Sequence, residues 1–200
     1  MIRGWLHEPA SPTGQTIALT HGAAGNCDAP LLKALAQAFA DIGILALRFD
    51  LPYRQSRPHG PPFPAQAARD REGISRAAEA MRELSGGRVY LGGHSYGGRQ
   101  TTMVAAENPA LAGALLLLSY PLHPPGKPDR ARKEHFASLK TPALFVHGTR
   151  DAFGSVAEME SALKLIPAPA ELEIIAGAAH GVPPSSAQRV VERFVRFLSA

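Results

Sequence analysis

The residues Gly93-His94-Ser95-Tyr96-Gly97 fit the pattern G-x-S-x-G, and their surroundings give that pattern a chemical meaning. Val89, Tyr90 and Leu91 before them form an apolar, strand-prone run, and the chain from Arg99 through Ala106 reads as a helix. A sharp strand-to-helix turn would expose the Ser95 hydroxyl. Such a turn brings the residues two before and two after the serine together, so a Cβ at position 93 or 97 would clash. A serine hydroxyl is a poor nucleophile at neutral pH, and it needs a base to take its proton and a group to orient that base.

His180 is the expected base, in a short loop of small residues that ends at Gly181. Of the seven other histidines, His7, His59 and His135 lie away from the strand ends. His21, His94 and His147 stand next to glycines, where backbone and packing roles are expected, and His123 is the runner-up. Asp151, a few residues beyond a strand, is the expected orienter. Alone it would read as a helix cap, but Ser…Asp…His is one of the chain orders in which such triads recur. Acyl transfer also needs donors for a developing oxyanion. The backbone N–H groups of Tyr96, at the helix start, and Ala23, in H-G-A-A-G, are the expected pair.

The elements that must position these groups alternate. Strands are expected at 15–20, 44–49, 89–91, 113–119, 142–147 and 171–175, with a short edge strand around Trp5. Helices are expected from Asp28 as cap with Leu31, Leu32, Leu35, Phe39 and Ile42 inward, and at 65–84, after Ser95, at 155–165, and from Ser185 onward. The pattern predicts a doubly wound, mostly parallel α/β sheet with helices on both faces. In such sheets sites lie beyond the carboxyl ends of the strands, and Ser95, Asp151, His180 and the 21–26 loop each follow a strand. Residues 50–64 carry five prolines, which predicts neither helix nor inner strand there.

With 200 residues, 45% hydrophobic and 19% charged, the chain is expected to be one domain over 1–200 with a single core. The start M-I-R-G-W-L-H-E-P-A has no signal-like apolar stretch, and the run 111–118 is too short to cross a bilayer. A cytoplasmic protein without a membrane partner is expected. Cys27 is the only cysteine, which excludes an internal disulfide and a cysteine-rich metal site. The net charge is +4, but the arginines are scattered, so no nucleic-acid partner is expected. No metal or cofactor site is read: G-G-H-S-Y-G-G lacks the lysine and spacing of a phosphate loop. The sequence leaves the oligomeric state open.

H-G-A-A-G, G-H-S-Y-G, H-G-T-R-D and A-A-H-G together resemble the α/β-hydrolase superfamily over nearly the whole chain, most closely its small, lid-less, dienelactone-hydrolase-like members. R-F-D-L-P-Y, G-H-S-Y-G-G-R and S-Y-P-L-H-P-P-G-K-P are similar to a bacterial subgroup related to a domain in a eukaryotic chromatin-complex subunit. True dienelactone hydrolases carry a cysteine nucleophile where this chain has Ser95, so their lactone substrate does not transfer. Larger relatives insert a helical lid after their sixth strand; here that interval, about 120–138, is too short and proline-rich. An open, shallow pocket is expected, with Tyr53, Phe63, Tyr120, Leu122 and Phe153 either lining it or packing in the core, and Arg99 facing a substrate anion or, as the commoner use, a structural ion pair. The resemblance implies a serine hydrolase for a small-molecule ester or thioester. A binding scaffold without turnover is the alternative, and a cofactor-free haloperoxidase-like or carbon–carbon hydrolase activity would use the same residues. Turnover should fall below pH ~6, where imidazole gains a proton; a rate constant down to pH ~4.5 would remove His180 as the base.

Overall fold

The structure, a computed structural model, describes residues 2–199. Its seven strands are β1 (Gly4–His7), β2 (Thr16–Thr20), β3 (Leu45–Phe49), β4 (Val89–His94), β5 (Leu115–Leu118), β6 (Ala143–Gly148) and β7 (Ala170–Ile175). They form one sheet in the order β1-β3-β2-β4-β5-β6-β7, with only β1 antiparallel. The helices are α1 (Pro30–Asp41), α2 (Pro52–Ser56), α3 (Ala67–Ser85), α4 (Tyr96–Glu107), α5 (Val156–Leu163) and α6 (Ala187–Leu198).

Strand composition follows from burial on both faces. In β5, Leu115 and Leu117 pack with Ile74, Met81 and Val104 of α3 and α4, while Leu116 and Leu118 pack with residues of α1 and α6. Alternate side chains of one strand thus serve two cores. On the α1/α6 side, Phe194 meets Phe39 and Tyr90 edge-on at 6.0 and 5.5 Å.

Three local expectations are corrected. Residues 50–64 do contain a helix: Pro52 begins α2, where its missing N–H costs nothing, and 53–57 carry no further proline. Asp28 does not cap α1, whose N-cap is Ala29. Its carboxylate instead accepts from the buried Arg48 at 2.7 Å, a partner from β3. Ile42 lies past the end of α1 and is 38% exposed, outside the core.

The parallel part of the sheet starts at β2, adds β3 on one side, then crosses back to place β4 on the other. Thr20 therefore pairs with Gly93 at the carboxyl ends of β2 and β4. At that crossing Ser95 is held at φ 49°, a conformation costly for any side chain and kept only by its surroundings. A Cβ on Gly93 would sit 2.6 Å from the Gly97 carbonyl carbon, as expected. A Cβ on Gly97 would instead meet the His21 oxygen at 2.5 Å, so this glycine admits the neighbouring loop rather than Gly93. Gly97→Ala should cost about 2 kcal/mol or more, lowering Tm by roughly 4–8 °C. Gly181→Ala, where a Cβ meets nothing within 4 Å, should stay within about 0.5 kcal/mol. Equal thermal unfolding of the two variants would contradict the packing account.

Candidate active site

Ser95 follows β4, Asp151 follows β6, and His180 lies in the loop after β7. The pairing of Gly148 with Ile175 sets the last two side by side. That loop rides so closely over Gly148 that a Cβ there would stand 2.6 Å from the Ala179 oxygen. The three side chains form a continuous relay. His180 Nδ1–H donates to the Asp151 carboxylate at 2.9 and 3.0 Å, leaving Nε2 to accept the Ser95 hydroxyl at 2.7 Å. Burial alone would raise the Asp151 carboxyl. The hydrogen bonds from His180 and the Phe153 N–H outweigh it and hold the group below its ordinary range. Phe153 stacks on the His180 ring at 3.9 Å. His94 Nε2–H donates to the His180 carbonyl at 3.1 Å, and burial pulls the pKa of His94 down, which keeps it a neutral support.

Ala23 and Tyr96 both border a cavity of about 780 Å³ that opens beside Ser95 and His180. Tyr96 is the first residue of α4, so its N–H has no acceptor within the helix. The Ala23 N–H is aimed indirectly. His21 Nδ1–H donates to the Gly22 carbonyl at 2.9 Å, and the Tyr53 hydroxyl donates to the same oxygen at 3.1 Å and to the Ala23 oxygen at 2.9 Å. Because a trans peptide is planar, fixing the Gly22 C=O fixes the Ala23 N–H on the opposite side. Buried Arg54 adds bonds to the Ala23 and Gly25 carbonyls at 3.1 and 2.7 Å. Burial pushes the Tyr53 phenol up to about 12, so it remains a donor. Asp70 of α3 accepts from the Tyr53 N–H at 2.9 Å and the Tyr96 hydroxyl at 2.8 Å, tying α2 to the start of α4.

Tyr53 and Arg54 as a clamp on this loop were not foreseen from the sequence. Their signal is Pro52 at a helix start followed by a proline-free stretch.

Of the six residues expected to line the pocket, Phe63, Arg99 and Phe153 do so, Phe63 together with Pro61, Pro62 and Pro64. Tyr53, Tyr120 and Leu122 do not. All three are buried in the core, Tyr53 under the Gly22–Ala23 peptide and Tyr120 with its hydroxyl on the Arg132 carbonyl at 2.6 Å. The volume of the cavity suits a small-molecule ligand. Arg99 makes no ion pair among the described residues. Cys27 is buried, and burial with the Asp50 charge raises its thiol to about 11, so it packs rather than reacts.

Residues 13–193 match the family described as the alpha/beta hydrolase domain. Similar solved structures include an alpha-beta serine hydrolase homologue from Coxiella burnetii, at 18% identity and TM-score 0.74 over 99% of this chain and 90% of that one. Est1E from Butyrivibrio proteoclasticus, with ferulic acid bound, aligns at 17% identity and TM-score 0.78 over 100% and 96%. A dienelactone hydrolase from Anabaena variabilis aligns at 20% identity and TM-score 0.75 over 97% and 88%. At such identities these likenesses concern the fold. Between β5 and β6, where a lid would be inserted, the chain forms only single helical turns at Pro128–Arg130 and Phe136–Ser138. The chain belongs to the alpha/beta hydrolase family, as a small member without a lid.

Proposed function

We propose that this protein is a serine hydrolase that cleaves a small carboxylic ester or thioester through an acyl-enzyme on Ser95. The observation that carries the reading is the relay from Ser95 through His180 to Asp151 at the mouth of a ligand-sized cavity. His180 takes the Ser95 proton as the oxygen attacks the substrate carbonyl. The negative charge that develops on the carbonyl oxygen is received by the Ala23 and Tyr96 N–H groups. His180 then returns the proton to the departing alcohol or thiol, and water repeats the sequence to release the acid. Asp151 stays ionised and favours the imidazolium formed at each step. A scaffold needs neither an aligned serine–imidazole bond nor a strained serine, so these features weigh against the scaffold alternative.

A fluorophosphonate probe should label the intact protein and should label neither Ser95→Ala nor His180→Ala; a folded wild-type protein that resists labelling would remove the hydrolase reading. Tyr53→Phe keeps the ring and removes the hydroxyl that holds the Gly22–Ala23 peptide. In steady-state kinetics it should lower kcat roughly tenfold with KM changed less than about threefold. A change in KM alone would show that the peptide serves binding rather than the oxyanion.

A further inference from the structure

The cavity beside Ser95 carries a charge that its own walls do not balance. Arg71, Arg99 and Arg132 line it, and no aspartate or glutamate does. Arg71 has partners, donating to Gln100 Oε1 at 3.2 Å and lying 3.7 Å from a Glu107 carboxylate oxygen. Among the described residues the Arg132 guanidinium donates only to the Pro121 carbonyl, at 3.3 Å. Arg99 has less still: its Nε is buried without an acceptor, and it forms no ion pair among the described residues.

The groups around this pair do not supply the missing charge. Burial and the Arg99 charge pull His135 down to about 4, so it is neutral and holds the Thr102 hydroxyl at 2.8 Å. The Tyr120 hydroxyl keeps its proton and spends it on the Arg132 carbonyl. Glu134 acts on Arg132 and His135 only from a distance and pairs with neither. Burial and the neighbouring Arg99 charge disfavour the charged form of Arg132. Two adjacent, half-buried guanidinium groups without a counter-charge are costly, and an arriving anion removes that cost.

Position relates this charge to the reaction. Arg99 lies in the first turn of α4, where its backbone N–H donates to the Ser95 carbonyl at 2.9 Å, and both residues line the same cavity. We propose that Arg99, with Arg132, forms a subsite for a second, anionic group of the substrate. The substrate is then an ester or thioester that bears a carboxylate or phosphate a short spacer from the bond that is cleaved. This inference rests on the hydrolase reading. A guanidinium fork takes either anion in a two-point grip, and Phe63, Met103 and Phe153 give the rest of the lining an apolar character that suits the uncharged part of such a substrate.

The test compares p-nitrophenyl esters of equal chain length that end in a methyl group or a carboxylate, with a third arm whose chain ends in a phosphate. Wild-type kcat/KM should favour an anionic ester over the neutral one by about tenfold or more. Arg99→Met should lower that ratio by about tenfold, chiefly through KM, and Arg132→Gln should lower it less. A larger preference for the phosphate arm identifies the anion as phosphate, and a larger preference for the carboxylate arm identifies a carboxylate. Fluorophosphonate labelling of Arg99→Met checks that the variant is folded. Should it not fold, glutarate and inorganic phosphate are tested on the wild-type protein, where one should inhibit neutral-ester turnover competitively. A wild-type ratio near one, a ratio unchanged in Arg99→Met, or no inhibition by either anion overturns the subsite while leaving the hydrolase reading in place. Absence of labelling in the wild-type protein overturns both.

Discussion

The site depends on the backbone of Ser95, fixed at φ 49° where β4 turns into α4. A serine holds that conformation only when packing on every side excludes the alternatives. Here Gly93 gives way to Gly97 and Gly98, Gly97 gives way to the His21 carbonyl, and the Ser95 N–H is bound to Leu118 of β5 at 2.8 Å. The turn thus joins three adjacent strands. It also sets the direction of α4, on which Tyr96 offers its amide and Arg99 its guanidinium. A loosened turn would displace the Ser95 hydroxyl, the Tyr96 amide and the cationic wall together.

Most of the architecture was legible because both faces of the central strands are buried. Short runs such as the four leucines of β5, set between turn segments, suit an inner parallel strand, and helices between such strands cover the two faces. That Ser95, Asp151 and His180 come together was legible through position, since each follows a strand and parallel strands end on one edge. The irregular segments were not legible in the same way. Proline density concealed α2, and without a period nothing in the sequence says which way Tyr53, Tyr120 or Leu122 points. Those three side chains face the core, where they hold the segments that shape the cavity. The ion pair expected for Arg99 failed for a different reason: a sequence does not count the carboxylates within reach of a side chain, and among the described residues there are none in contact.

Charge is distributed unevenly about the reacting groups. Asp151 is kept ionised by the bonds it accepts, His94 is kept neutral by burial, and His135 is kept neutral by burial and a nearby arginine. Negative charge is therefore concentrated behind His180, and positive charge in the cavity in front of Ser95. That polarity suits a base drawing a proton away from Ser95 while charge develops on the substrate side.

The central claim is that Ser95 becomes covalently acylated during turnover. The direct measurement is peptide mass analysis after acid quenching of the protein mixed with excess p-nitrophenyl acetate. The account expects one acetyl group, on the peptide that contains Ser95, and none in Ser95→Ala. Ester turnover with no acyl adduct, or with the adduct on Cys27 or His180 alone, would contradict it.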